Sequence, residues 1–199
     1  MKRALLVPLL LLAAACGSEP EATSKIPESE PFNDADVAFA TDMVPHHAQA
    51  LSMVDLTVGR DLSPDVAAVA EQVRAAQAPE IEQLVDLLEA WEQPIPETSR
   101  DHVNAGHGDH GKHADAGPLP EHEEMRGMAS ADELAALESA RGKDFEQMWL
   151  ELMAAHHDGA VEMAQEELDS GEDPAALALA ESIIEAQEAE LEQIEAMLG

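Results

Sequence analysis

Apolar residues recur at helical spacing over four long stretches of the chain, at about residues 33–54, 63–91, 143–168 and 173–198. The second and fourth stretches begin with a capping side chain followed by a proline at the first helical position, at Ser63-Pro64 and Asp173-Pro174. No part of the sequence shows sustained alternation of apolar and polar residues, and tyrosine is absent. The pattern therefore predicts an all-α protein.

The four predicted helices form two helical hairpins, each too small to bury its own apolar face. We expect the hairpins, at residues 33–92 and 142–199, to pack as one four-helix bundle domain over residues 33–199. The long crossover between them, residues 93–141, contains a capping box at Ser130–Glu133 that predicts a short helix. The crossover also holds histidines that are compatible with weak accessory metal capture or with a solubilising linker: His102, His107, His110, His113 and His122.

Residues 1–15 resemble the signal peptide of a bacterial lipoprotein. A positively charged start is followed by an apolar stretch, and small residues precede Cys16, the only cysteine in the chain. The resemblance implies that Cys16 becomes the lipidated first residue of the mature protein. Residues 16–32 are rich in Glu, Pro and Ser and predict a flexible tether. We therefore expect a lipid-anchored protein of the cell envelope, periplasmic or on the outer face of a membrane.

The chain carries a formal net charge of -32. A field of this sign excludes nucleic-acid binding through phosphate contacts. It is compatible with solubility at a membrane surface and with the attraction of cations. Because there is one cysteine, no disulfide can form within the chain, and packing or a metal must hold the fold.

One motif occurs twice in the chain, as Met43–Met53 and as Met153–Met163, at a fixed offset of 110 residues. Each copy has a methionine, then His-His three and four residues later, and a second methionine at its end. The same offset, without a gap, pairs Gln77 with Gln187 and Glu80 with Glu190 in the following helices. This duplication predicts one site built twice, or one site shared by the two halves.

Imidazole and thioether side chains are the candidate metal ligands of this motif. Residues three and four apart share one face of a helix, so facing helices would bring eight ligands together: His46, His47, His156, His157, Met43, Met53, Met153 and Met163. Thioether and imidazole without thiolate suit Cu(I) better than iron or manganese, and zinc would gain little from the methionines. The alternative is that the methionines fill the core, as methionines at helical spacing commonly do.

The other polar residues retained in both copies lie on the partner helix of each hairpin. These residues are Gln77, Glu80, Gln187 and Glu190. They could hydrogen-bond the imidazole nitrogens that do not bind metal, as outer partners of a metal site commonly do. Ordinary interhelical hydrogen bonds are the alternative. Because protons compete for imidazole nitrogen, we expect metal binding to weaken as the pH falls through about 6.5.

Three features of the sequence resemble one bacterial secreted family, the "domain of unknown function 305". They are the His-His helix, the Gln-x-x-Glu-Ile segment at Gln77–Ile81, and the Arg-Gly-Met-x-Ser-x-x-Glu-Leu segment at Arg126–Leu134. The resemblance covers roughly residues 34–199. It implies a ferritin-like four-helix bundle that is exported from the cytoplasm, in a family with some members linked to copper binding and tolerance.

The leading hypothesis is an exported, non-enzymatic lipoprotein that binds copper as Cu(I), and buffers it or hands it over. One alternative is a ferritin-like metalloenzyme of the oxidase type, which redox activity on the bound metal would favour. Another alternative is a structural or partner-binding protein of the envelope, which a failure to bind any metal would favour.

Overall fold

The computed structural model describes residues 31–98 and 125–199, which contain five helices and no strand. We number them α1 (Asp34–Asp55), α2 (Pro64–Ala90), α3 (Ala131–Ser139), α4 (Gly142–Ser170) and α5 (Pro174–Leu198). The predicted signal peptide, the predicted lipidation site Cys16 and the crossover histidines lie outside these residues. Within the described segments, no helix has both the length and the apolar composition needed to cross a membrane.

Side-chain caps define where most of the helices begin. The Asn33 side chain accepts hydrogen bonds from the first turn of α1, and the Asp36 carboxylate accepts one from the backbone N–H of Asn33 at 2.6 Å. The Ser130–Glu133 capping box opens α3, as the sequence predicts. Pro45 lies inside α1 without ending it, so the restart that a mid-helix proline can impose does not occur here.

The four long helices form the expected four-helix bundle. Within each half, α1 packs against α2, and α4 packs against α5. Between the halves, α1 packs against α4 and α2 against α5, while the short α3 packs on α4. The two helices that carry the His-His motif are therefore in direct contact.

The halves are tied together by equivalent hydrogen bonds at two helix starts. Asp36 Oδ1 accepts from the backbone N–H of Asp173, at 2.9 Å. Glu146 Oε1 accepts from the backbone N–H of Ser63, at 2.6 Å. Positions 36 and 146, like positions 63 and 173, are 110 residues apart. The duplication therefore extends to the contacts that join one half to the other.

A buried acid, Glu167, breaks this equivalence near the α4–α5 turn. Its side chain is 1% exposed and lies beside Asp36, where Gly171 leaves space for both carboxyl groups. Burial, and then the neighbouring Asp36, raise the pKa of Glu167 to about 8. Glu167 therefore keeps its proton at neutral pH. The sequence offered one signal for it, because it continues the buried stripe of Ala160 and Ala164.

Buried apolar side chains form two separate clusters along the bundle. One cluster includes Met53, Val73, Trp149, Met153 and Ile194. The other includes Phe39, Met43, Leu84, Ala160 and Ile183. On each long helix, buried polar residues interrupt the stripe between the two clusters, and two of them on each helix are paired by the offset of 110. We call these eight residues the histidine layer: His46, His47, Gln77, Glu80, His156, His157, Gln187 and Glu190.

Candidate metal centre

The four histidines of the duplicated motif lie together in the middle of the bundle. All four side chains are fully buried, and the ring centres of His46 and His156 are 3.8 Å apart, with their planes at 40°. The ring centres of His46 and His47 are 6.5 Å apart. Contact between α1 and α4 thus brings both copies of the motif into one layer.

The second histidine of each copy pairs with a carboxylate on the next helix. His47 Nε2 lies 2.8 Å from Glu80 Oε2, and His157 Nε2 lies 2.6 Å from Glu190 Oε2. Both carboxylates are mostly buried. A carboxylate accepts a hydrogen bond, so each Nε2 carries a proton, and in the neutral form of either ring the free lone pair is on Nδ1. Glu80 and Glu190 therefore lie where the sequence predicted outer partners for metal-binding imidazoles.

The first histidine of the first copy has a different partner, which the sequence did not predict. His46 Nε2 donates to the backbone carbonyl of Arg126, at 3.0 Å. We call residues 125–129 the strap. Gln49 holds the strap through two hydrogen bonds of 2.8 Å, one to the carbonyl and one from the N–H of Ala129. The Arg126 guanidinium also pairs with Glu166 on α4, at 2.6 Å.

Two glycines allow the strap to approach α4. Gly127 has φ +75°, and a Cβ there would lie 2.3 Å from the backbone oxygen of Ala155. A Cβ on Gly159 would lie 2.1 Å from the backbone oxygen of Arg126. Both distances are far below ordinary contact, so the close approach needs glycine at each position. The sequence cannot show that a backbone carbonyl will accept a hydrogen bond from a histidine. The two glycines, however, could have indicated a close approach of the backbone at these positions.

Several ring nitrogens of the layer have no hydrogen-bond partner among the described residues. They are the Nδ1 atoms of all four histidines and the Nε2 atom of His156. A buried polar atom left unpaired costs about 1 to 3 kcal/mol, and native proteins rarely leave several together. A cation bound by these lone pairs would remove that cost, so the donor set fits a metal that prefers nitrogen.

The histidines at the centre of the layer are neutral. Burial, and then the positive charge that a protonated His47 would carry, lower the pKa of His46 to about 3. Burial also lowers the pKa of His156 well below its usual value, with the other three histidines adding to the effect. Proton competition at these two rings therefore begins far below the pH of about 6.5 expected from the sequence.

The methionines of the motif flank the layer on both sides. Met53 and Met153 belong to one apolar cluster and are fully buried. Met43 belongs to the other cluster, and the half-buried Met163 packs against it. Each side of the layer thus receives one thioether from α1 and one from α4. Because these positions also fill the core, a role for the methionines as ligands stays a prediction.

The arrangement of the layer bears on which metal would fit. In the described parts of the chain, no three His, Cys, Asp or Glu side chains are grouped so as to hold one ion. Structural zinc takes four such ligands in a tetrahedron. A pair of imidazoles with neighbouring thioethers suits a soft ion of low coordination number, such as Cu(I) or Ag(I).

Comparison with known proteins places the chain in a family. The family model described as "Domain of unknown function (DUF305)" matches residues 36–198. A search of curated proteins found no match. Among solved structures, a DUF305 fragment from Deinococcus radiodurans is similar at 31% identity and a TM-score of 0.69, covering 85% of this chain and 98% of its own.

Two further proteins of solved structure share the fold. A Streptomyces coelicolor DUF305 protein that is described as secreted matches at 28% identity, with a TM-score of 0.66 and coverage of 82% of this chain and 91% of its own. The Cu(II)-bound form of CopM matches at 25% identity, with a TM-score of 0.62 and coverage of 82% and 95%. CopM is also known in Cu(I)-bound and silver-bound forms, at 23% and 22% identity. By the family match and the likeness to the Deinococcus radiodurans structure, the chain belongs to the DUF305 family.

Proposed function

We propose that this protein is an exported, non-enzymatic copper-binding protein that carries copper in the histidine layer. The observation that supports the proposal best is the set of four fully buried imidazoles whose Nδ1 atoms have no partner among the described residues. Acceptors on the other nitrogen of His46, His47 and His157 fix the tautomer that leaves Nδ1 available.

The chemistry of the layer and of a structural neighbour both support copper. Imidazole nitrogen with adjacent thioether sulfur favours Cu(I) over metals that prefer oxygen ligands. CopM, which shares the fold, is known with Cu(II), Cu(I) and silver bound. We extend that binding to this chain because its own layer offers imidazole nitrogens that make no hydrogen bond to the described residues.

The burial of the layer supports a role in holding copper rather than in turning over a substrate. The four histidines have no exposed surface, so copper would enter and leave only when the bundle or the strap opens. The net charge of -32 would concentrate cations near the protein. Buffering copper, or handing it to a partner, requires such retention with occasional release.

The envelope location of the proposal rests on the N-terminal sequence and on a relative. The predicted signal peptide and lipidation at Cys16 would anchor the protein outside the cytoplasm. The Streptomyces coelicolor relative is described as secreted. The oxidase alternative receives less support, because a di-iron bundle needs carboxylate ligands. Glu80 and Glu190 already hold the imidazoles of His47 and His157.

Metal analysis tests the proposal. The full chain, purified in detergent from copper-supplemented cells, is compared with a variant in which His46, His47, His156 and His157 are all changed to Ala. The matched control changes the crossover histidines instead: His102, His107, His110, His113 and His122. We expect copper in the wild type and in the control, and its loss from the layer variant. Equal copper in the wild type and the layer variant would contradict the proposal.

A further inference from the structure

Two glutamines of the histidine layer have no role in the protein contacts described so far. Gln77 and Gln187 are 0% and 1% exposed and occupy equivalent positions of the two copies. Neither the Oε1 nor the Nε2 atom of either side chain has a hydrogen-bond partner among the described residues. Each amide can make several hydrogen bonds, and buried amides in native proteins nearly always make at least one. Two buried amides at equivalent positions that make none therefore require an explanation.

Their place in the bundle puts these amides at the level of the imidazoles. Gln77 precedes Glu80 by three residues, and Gln187 precedes Glu190 by three, so each shares a helix face with a carboxylate that holds a histidine. Along α2, Gln77 lies between Val73 of one apolar cluster and Leu84 of the other. The packing of α2 on α5 brings the two glutamine-bearing helices together.

A third buried glutamine shows what a structural role looks like in this protein. The Gln49 amide is also buried, and both of its polar ends bond the backbone of Ala129 at 2.8 Å. Within the part of the chain that the structure describes, Gln77 and Gln187 bond neither the backbone nor each other. Their amides therefore differ from a glutamine whose purpose is to join two parts of the fold.

We propose that Gln77 and Gln187 supply the oxygen side of the copper site, and so decide whether the layer holds Cu(II) as well as Cu(I). This inference rests on the proposed function. Cu(I) is satisfied by nitrogen and sulfur, whereas Cu(II) prefers a set of nitrogen and oxygen donors in tetragonal geometry. The unpartnered Nδ1 atoms provide the nitrogen, and the amides provide oxygen directly or through a water molecule that they hold.

The test compares Cu(II) and Cu(I) binding in a Q77L/Q187L variant. Leucine keeps the side-chain size and removes both amides. The matched control is Q83L/Q193L, which changes two exposed glutamines on the same helices, also 110 residues apart. We expect the affinity for Cu(II) to fall about 10-fold or more in the first variant, with the affinity for Cu(I) nearly unchanged. The control should match the wild type for both ions.

Electron paramagnetic resonance of the Cu(II)-loaded proteins gives a second readout. Loss of an oxygen donor should change the copper hyperfine splitting in Q77L/Q187L and not in the control. Deuterium modulation of the signal in heavy water distinguishes the two sources of oxygen. A copper-bound water carries exchangeable hydrogens on the atom that binds the metal, whereas an amide oxygen carries none and the amide N–H hydrogens lie further away. Should the double variant fail to fold, the single variants Q77L and Q187L carry the same expectation, each with a smaller loss.

Three results would overturn the inference. One is a Q77L/Q187L protein that binds Cu(II) as tightly as the wild type, with the same spectrum. Another is an equal loss of Cu(I) and Cu(II) affinity, which would make the amides general supports of the layer. The last concerns the copper-free proteins. If Q77L and Q187L each melted at a lower temperature than the wild type while Q77L/Q187L regained the wild-type melting temperature, the two amides would be partners of each other. A wild type that binds no copper would instead defeat the proposed function itself.

Discussion

His47 and His157 occupy equivalent surroundings, whereas His46 and His156 do not. Each of the former donates from Nε2 to a carboxylate 33 residues further along the chain, at 2.8 and 2.6 Å. His46 donates to the Arg126 carbonyl at 3.0 Å, while neither ring nitrogen of His156 has a hydrogen-bond partner among the described residues. One histidine of each copy is thus held alike, and the other is held in only one copy.

The strap causes this difference. It precedes the second copy in the chain and contacts both copies, but the contact with each copy is of a different kind. Gln49 and Gly159 are equivalent positions, 110 residues apart. Gln49 fastens the strap with two hydrogen bonds, and Gly159 makes room for it by having no side chain. When a helical hairpin is duplicated, the hydrogen bonds between its two helices are duplicated too. A bundle of two hairpins has only one crossover, so a contact made by the crossover occurs once. The asymmetry of the layer therefore comes from the connection rather than from the helices.

Adding a methyl group at Gly159 should have the largest effect on the comparison. In G159A the new Cβ would meet the Arg126 oxygen, so the strap must move and His46 loses its acceptor. We expect the free energy of unfolding to fall by about 3 kcal/mol, the upper end of the usual cost of overpacking, although alanine is the better helix former. Urea unfolding measures it, with the exposed neighbour Asp158 changed to Ala as control. A G159A protein as stable as the control would show that the strap can move away from α4 without loss of stability.

Removing the two carboxylates should affect the two copies equally. E80L and E190L each take away the acceptor that orients a histidine, and we expect each to weaken copper binding by about 10- to 100-fold. The variants E80Q and E190Q keep an acceptor oxygen and should recover part of the affinity. Competition titrations with a Cu(I) chelator measure all four. Clearly unequal losses in E80L and E190L would show that His47 and His157 are not equivalent toward the metal.

Removing the two unlike histidines should affect the copper-free protein unequally. H46L deprives the Arg126 carbonyl of its donor, whereas H156L removes a ring that has no hydrogen-bond partner among the described residues. We expect H46L to be less stable than H156L by about 1 kcal/mol, the usual net value of a hydrogen bond. Chemical unfolding without copper measures the difference. Equal stabilities would mean that the strap contact contributes nothing to the fold.

The last comparison concerns Glu167, whose counterpart in the first copy is Thr57. Its pKa is about 8 in the fold against 4.5 ordinarily, so the folded protein keeps a proton that the unfolded chain releases between these values. Stability should therefore fall as the pH rises from about 4.5 to about 8. The lowered pKa of Asp36 acts below 3.8, outside this window.

The variant E167Q cannot ionise and should lose less stability across that window than the wild type. Urea unfolding at pH 5 and pH 8 gives the two differences. Glu188 is exposed on α5, and changing it to Gln provides the control. Parallel pH profiles for E167Q and the wild type would show that Glu167 ionises in the fold much as it does in the unfolded chain.

Helical periodicity and the repeat were enough to predict the fold and the composition of the histidine layer. The apolar spacing gave four helices that the structure confirms, and the offset of 110 paired His46 with His156 and Glu80 with Glu190. These predictions succeeded because side chains on a helix face leave a periodic mark in the sequence. Duplicated polar residues within apolar stripes indicated which of those faces meet in the buried histidine layer.

The strap and the buried acid could not be predicted in the same way. The Arg126 carbonyl is a backbone group, and the approach of the strap depends on the tertiary contact with Gly159. Glu167 lies on a helix rich in acids, most of which are exposed. Its burial depends on the turn that begins at Gly171. In both cases a contact between segments distant in sequence decides the outcome, the strap with Gly159 and Asp36 with Glu167. Periodicity places Glu167 on the buried face of α4, but it does not show which group the carboxyl meets there.

Anomalous scattering at the copper edge, from crystals of the Cu(I)-loaded protein, tests the central claim most directly. We predict that the strongest peak lies in the histidine layer, next to Nδ1 of His46 or His156, with the Nε2 contacts of His47 and His157 to Glu80 and Glu190 retained. Peaks at surface carboxylates should be weak or absent, because those groups attract cations without holding soft ions. A strongest peak outside the layer, with all four imidazoles unliganded, would contradict the account.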